Sequence, residues 1–352
     1  MGSTLLTARD RELFDPRVPA HDVGDIIGFT PDGSPIRMIG GGARANFDAW
    51  NWEEFGADVI QQVRQNSAVE AVAQRIPMRS QTRSTPRSGG VELGIVAKGG
   101  AYGEDTSPND EVILSAQKFG TAIRIAEEDI DDSLANVLNT KLSDWATAYA
   151  KGLDNACLAV TAAKASTGCK FDSLYYMLSQ NNSDTGYTAN SNITKTGSGG
   201  TTYGSLSATL GKVETSDYWV EGAGLWIASP EYKQILRDIV DDNDRPIFAE
   251  STGGDSAGAA NVPDRIMGYP VRWSLGARTS AVPTSRPSGN PLMIFVIPQL
   301  MMLGIRSGPE SIYIDGRNGL AALTDESILK LRARRAFNVG HEKGFAIHED
   351  NS

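Results

Sequence analysis

From Ile130 to Val160 the apolar residues Ile130, Leu134, Leu138, Leu142, Trp145, Tyr149, Leu153, Cys157 and Val160 recur at every third or fourth position. That is the spacing of one buried helix face. The stripe steps mostly by four, so it is not the seam of a heptad coiled coil. At 1.5 Å rise per residue it predicts a single helix on the order of 45 Å long. The acidic run Glu127, Glu128, Asp129, Asp131 and Asp132 stands at its start. Carboxylates are favoured there by the positive end of the helix dipole, which explains the run without a metal.

Two segments before this helix lack a core of their own. Residues 1–50 mix Asp, Arg, Pro and Gly around one hairpin-like unit, in which Ile26, Ile27 and Phe29 precede a Pro31-Asp32-Gly33-Ser34 turn and Pro35 to Ile39 follow. So little apolar surface cannot offset the entropy of ordering, so this arm needs another chain or a distant part of its own. Phe55, Val59 and Val63 then predict a short helix over Trp52 to Val63, followed by extended chain over Val69 to Met78. Beyond a Ser, Thr, Pro and Gly stretch at 79–90, the alternation of Val91, Leu93 and Ile95 and the run Val112 to Leu114 predict a long hairpin with its tip at 99–110. Isolated two-stranded hairpins are marginal in water, so it too needs a neighbour. Deletion of roughly residues 87–114 is expected to leave a folded subunit that no longer assembles.

The second half reads as mixed strands and short helices. Thr121 to Ile125 is strand-like, and Asn181 to Gly204 reads as a polar loop. A helix follows at Leu206, Leu210 and Val213, then a strand at Leu225 to Ala228. Ser229 as N-cap and Pro230 at the first position open a helix that turns Ile235, Leu236 and Ile239 inward. Further strands are predicted at Met267 to Leu275, Leu292 to Ile297, Ser311 to Ile314 and Gly344 to His348. Leu329, Leu331, Ala333, Phe337 and Val339 alternate with Lys330, Arg332, Arg334 and Asn338, which is a half-buried strand. Its basic face is read as solvated or salt-bridged, not as a DNA contact.

The search for chemistry assigns no catalytic, cofactor-binding or metal-binding residue. His21, His341 and His348 stand apart from any metal-like spacing and read as surface residues. Cys157 and Cys169 have no CxxC spacing, which fits a reduced, intracellular environment. No GxSxG elbow or GxxxxGK[ST] loop occurs, and Gly99, Gly100, Gly103, Gly222 and Gly224 read as turn glycines. The triplets at Asn181 and Asn192 carry no weight, since no signal peptide precedes them. With 33 Lys and Arg against 43 Asp and Glu the net charge is -10, which disfavours a chain built to grip nucleic acid. The 352 residues suggest two structural lobes. The absence of long apolar runs predicts a soluble protein made in a cytoplasm.

Three successive motifs carry a resemblance over nearly the whole length: Leu225-Trp226-Ile227-Ala228-Ser229-Pro230-Glu231-Tyr232, Asp244-Arg245-Pro246-Ile247-Phe248, and Met267-Gly268-Tyr269-Pro270-Val271. With the Gly28 to Ile36 arm hairpin and Gly40-Gly41-Gly42, the chain resembles the major capsid proteins of tailed double-stranded DNA phages, in particular those of actinobacterial phages. The resemblance implies an α+β Hong Kong 97-type capsid fold. Residues 1–50 would form the N-terminal arm, 81–118 the extended loop overlapping a neighbouring subunit, and 168–297 the axial domain. Residues 51–80, 119–167 with the spine helix, and 298–352 would form the peripheral domain.

It further implies self-assembly into hexamers and pentamers of an icosahedral shell that encloses double-stranded DNA without sequence-specific binding. Synthesis in a bacterial host cytoplasm, a virion location, no membrane, and portal and decoration proteins as partners go with it. Some members of the fold begin with a charged helical scaffolding domain; this sequence starts without one, so a separate scaffolding protein is expected. Some also join subunits covalently through a Lys in the extended loop and an Asn in the peripheral domain, helped by a Glu. Lys98, Asn338 and Glu342 stand in comparable segments, but most relatives lack the crosslink and an uncrosslinked shell is the expectation. Two other readings are an encapsulin-type nanocompartment shell, which the long arm disfavours, and a two-lobed soluble enzyme, which predicts a small oligomer with a substrate-sized pocket.

Overall fold

The computed structural model describes residues 26–29, 35–37, 66–90, 93–104, 110–126, 137–197, 199–240, 247–248, 265–314 and 326–351. The predicted helix at Trp52 to Val63, the acidic run at 127–132 and His21 lie outside them. The chain divides into two compact units, Met1–Asp58 and Val59–Ser352. In the first, β1 (Ile26–Phe29) runs antiparallel to β2 (Pro35–Arg37), the arm hairpin that the turn residues predict.

The second unit is organised on two sheets. Residues 68–72 are helical (α1, Ala68–Val72) where the pattern predicts extended chain, because Ser67 caps the turn by accepting from the Glu70 amide. β3 (Gln74–Pro77) follows and pairs parallel to β12 (Met301–Ile314). β12 pairs antiparallel with β13 (Glu326–Val339), and β13 with β6 (Gln117–Ala126), giving the order β3-β12-β13-β6. The alternation predicted for β13 holds: Leu329, Leu331, Ala333, Phe337 and Val339 are buried, while Lys330, Arg332, Arg334 and Asn338 keep partial exposure. The described part of the long helix, α2 (Val137–Leu158), has 22 residues. Its Leu153 and Cys157 share one core with Leu303 and Phe337 of this sheet.

The other sheet has six strands in the order β7-β14-β11-β8-β10-β9. They are β7 (Ile193–Lys195), β8 (Leu225–Ala228), β9 (Arg265–Ile266), β10 (Tyr269–Trp273), β11 (Leu292–Val296) and β14 (Phe345–Glu349). β11 is buried at all five positions, as a central strand covered on both faces must be. Leu292, Ile294 and Val296 join the core that contains Leu153. Met293 and Phe295 face the other way, onto Leu206, Leu210 and Val213 of α5 (Tyr203–Glu214) and Leu236 of α6 (Tyr232–Asp238). Two short helices, α3 (Lys164–Thr167) and α4 (Leu174–Leu178), follow α2.

Four local expectations change. The predicted strand at 267–275 is a tight hairpin, since Met267 and Gly268 take φ of 52° and 85° between β9 and β10. Asn181 to Gly204 is not merely a loop: Tyr187 is buried and β7 pairs parallel with β14. Ser229 does not cap α6 with its side chain; residues 230 and 231 form a turn, and the buried Ser229 hydroxyl has no hydrogen-bond partner. Finally, β14 does not stay with β12 and β13, whose segment it continues, but pairs antiparallel with β11 in the six-stranded sheet.

Candidate assembly surfaces

The strands of the hairpin are not those the alternation of Val91, Leu93 and Ile95 predicts. β4 (Thr82–Arg87) pairs antiparallel with β5 (Asp110–Ser115), and the chain from 93 to 97 is in no strand. Pro86 fits because β4 has no partner on its other side. The root is well held. Val112 and Leu114 are buried, and Leu114 packs with Met78, Ala116 and Ala336. Arg87 pairs with Asp110 and also donates to the Gly340 carbonyl at 3.0 Å. Asn338 Nδ2 donates to the Ile113 carbonyl at 2.9 Å.

The tip has no such support. Leu93 is 98% exposed, Ile95 102% and Tyr102 87%. Neighbouring apolar side chains left this bare mark a contact surface for another molecule. Of the three crosslink-like residues, Lys98 lies in the tip turn, whereas Asn338 sits under the hairpin root and Glu342 accepts from Asn182 Nδ2 at 2.7 Å.

A polar centre that sequence reasoning missed joins both sheets to α2. Asp154 is fully buried and accepts from the Ala68 amide at 2.9 Å, the Val69 amide at 3.1 Å, the Ser274 hydroxyl at 2.6 Å and the Ser67 hydroxyl. Burial pushes its carboxyl above the usual range, against the pull of these four donors. Ala68 and Val69 open the helix leading into β3, and Ser274 follows β10, so one carboxylate ties the start of one sheet and the end of a strand in the other to the same helix. Asn155 continues the clamp through the Gly276 and Arg278 carbonyls at 3.2 and 2.9 Å. A second buried pair, Arg335 Nε to Glu70 Oε1 at 2.8 Å, fixes α1 to β13, with the Tyr149 hydroxyl donating to the same oxygen. The available signal was two adjacent polar residues, Asp154 and Asn155, inside an otherwise apolar helix turn.

Two histidines read as surface residues are buried. His348 has Nε2 3.0 Å from the Ser205 hydroxyl and Nδ1 2.9 Å from the Tyr232 hydroxyl. His341 stacks on Tyr218 with ring centroids 3.8 Å apart. Burial holds both near a pKa of about 4. An unfolded chain protonates its imidazoles near 6.5. As pH falls from 6.5 through 4 the unfolded state therefore takes up the protons first, and stability present above pH 6.5 is lost, up to about 3 kcal/mol per histidine. Urea midpoints should fall between pH 7 and 4.5, and His348→Gln should flatten that fall. Equal slopes for the two proteins would refute the assignment.

A cleft of about 340 Å³ at the hairpin root is lined by Arg87, Asp110, Asp217, Tyr218, His341 and Lys343. Its charges are of both signs. Among the described residues no group of three or more His, Cys, Asp or Glu could hold a metal ion, and no helix is long and apolar enough to cross a membrane. Cys157 is buried and Cys169 half-buried; both are free, and burial raises both thiols.

The sequence matches the family described as the phage capsid family over residues 52–294. No curated protein matches it. Among solved structures, one from Microbacterium phage Oxtober96 is 17% identical with a TM-score of 0.65, covering 88% of this chain and 99% of its own. One from Gordonia phage Cozz is 11% identical with a TM-score of 0.65, covering 94% and 99%. A third, titled as the capsid of a native GTA particle, is 15% identical with a TM-score of 0.63, covering 88% and 99%. The family match and these structures support neither the cargo-compartment nor the enzyme reading.

Proposed function

The chain belongs to the phage capsid family and has the Hong Kong 97-type fold, a major capsid protein that forms a shell, and from this we propose how the parts serve assembly. The subunits form hexamers and pentamers of an icosahedral shell around double-stranded DNA, held without sequence-specific contacts. The role is structural and not enzymatic. The observation that carries the reading is the hairpin tip, whose Leu93, Ile95 and Tyr102 are bare on a subunit whose other large side chains are mostly packed.

In this reading residues 1–50 are the arm and 81–118 the extended loop. Residues 51–80, 119–167 and 298–352 form the peripheral domain and 168–297 the axial domain, with β14 added to the axial sheet through its pairing with β11. A separate scaffolding protein guides assembly in the host cytoplasm, and a portal and decoration proteins complete the particle. Lys98 and Asn338 stay unlinked. Electron microscopy of the purified protein, alone and with a co-expressed scaffolding protein, should show closed shells with hexameric and pentameric units. A monodisperse small oligomer under both conditions would overturn the reading.

A further inference from the structure

The outer face of the four-stranded sheet carries a row of positive charge on an acidic protein. Residues directly opposite in an antiparallel pair share a face. Lys118 stands opposite Arg334, Gly120 opposite Arg332, Ala122 opposite Lys330 and Arg124 opposite Ile328. Because the odd-numbered positions of β13 are the buried ones, these even-numbered positions form the face turned away from the core. Gly120 and Ala122 put almost no side chain beside Arg332 and Lys330, so the charges line a shallow trough.

Among the described residues the face holds five cations, Lys118, Arg124, Lys330, Arg332 and Arg334, against two carboxylates. Those two are Glu326, 3.6 Å from Arg124, and Glu310, 2.8 Å from Arg332. Lys118, Lys330 and Arg334 have no carboxylate within ion-pair distance among the described residues. Beside them lie the half-buried Ile328 and Ile312 and the 41% exposed Ile314, so the trough is basic with an apolar floor at one end. A basic face of this kind has no use inside the subunit.

The hairpin tip has the opposite character. Around Leu93, Ile95 and Tyr102 the sequence places Glu92, Glu104 and Asp105 against a single Lys98. Apolar groups set among acids on one segment match apolar groups set among bases on another. The same outer face already accepts the hairpin root of its own chain, at Leu114 against Ala336. We infer that the tip of the extended loop of a second copy docks in this trough, its acids set against Lys118, Lys330 and Arg334 and its apolar residues against Ile312, Ile314 and Ile328.

The inference rests on the shell reading and names the partner face of the loop. The test uses the full chain with Lys118→Glu, Lys330→Glu and Arg334→Glu together. These side chains have no ion-pair partner of their own here, so the subunit should keep its circular dichroism spectrum and melting temperature. Shell yield by sedimentation should fall at least tenfold. Adding Glu92→Lys, Glu104→Lys and Asp105→Lys to the same chain should restore it, since every copy carries both halves of the contact. As a second measurement, Ile95→Cys with Ala122→Cys should give oxidised multimers on a non-reducing gel, with each single variant staying monomeric.

Full assembly of the triple variant would overturn the inference. So would a loss of yield that the tip reversals do not rescue, and a loss of retained DNA at normal shell yield would assign the trough to nucleic acid instead. If the unaltered chain forms no shells under the same conditions, it is the shell reading that fails. The cysteine pair still decides the docking, because a disulfide in any assembled form requires it.

Discussion

Replacing residues 88–109 with a two-residue Asn-Gly turn should leave a folded, soluble subunit that no longer closes into shells. Arg87 and Asp110 face each other in the β4–β5 ladder, so a type I′ turn can join them without disturbing the strands. The described tip contributes little to the subunit's own core, with Leu93, Ile95 and Tyr102 almost wholly exposed. The expected stability change is therefore below about 1 kcal/mol, while shell formation should be abolished.

The structure moves the boundary of this deletion inward from the segment 87–114. Leu114 is fully buried against Met78, Ala116 and Ala336, and Val112 is buried beside it. Removing them costs about 2–5 kcal/mol by the cost of truncating a buried Leu. Arg87 would also be lost, and with it the hydrogen bond to Gly340. A urea titration of the shorter deletion, read beside sedimentation of the assembled protein, separates folding from assembly. Shells of normal yield from the 88–109 deletion would show that the tip is dispensable.

Asp154→Ala is the substitution expected to cost the subunit most. It strands two backbone amides and two hydroxyls in a site without solvent. Each buried donor left unsatisfied costs about 1–3 kcal/mol, and some will find other partners, so the loss should total about 3–5 kcal/mol. Whole-domain stabilities are about 5–15 kcal/mol, so the variant stands near the edge of folding. Asp154→Asn is milder but still costly, because its amide nitrogen must face a donor where the carboxylate accepts. Guanidinium midpoints of the three proteins should fall in the order Asp, Asn, Ala. An Ala variant within 1 kcal/mol of the parent would show that the clamp adds nothing.

Much of the architecture was legible in single segments. The buried stripe through Leu153 and Cys157, the β13 alternation and the apolar faces of α5 and α6 are periodic signals. They survive because each element buries one face and solvates the other. The arm hairpin was readable from its turn chemistry, since Pro31, Asp32 and Gly33 suit few other conformations. The errors fall where local pattern and tertiary partner disagree. Val91, Leu93 and Ile95 alternate like a strand yet pair with nothing, while Thr82–Arg87, polar and containing a proline, makes the ladder with β5. Ser229 has the composition of a helix cap but lies beneath a turn, so its hydroxyl is left unmatched.

From the sequence alone came the kind of molecule: periodicity showed which faces are buried, composition showed two segments unable to fold alone, and the motif succession pointed to a shell subunit. Only the tertiary structure decided which distant residues meet. That Asp154 receives Ser67 and Ser274, that Glu70 meets Arg335 across the sheet, and that the last strand crosses to β11 are contacts between residues far apart in the chain. Such contacts leave no periodic trace, because a buried polar group is selected by one partner in space and not by its neighbours in sequence.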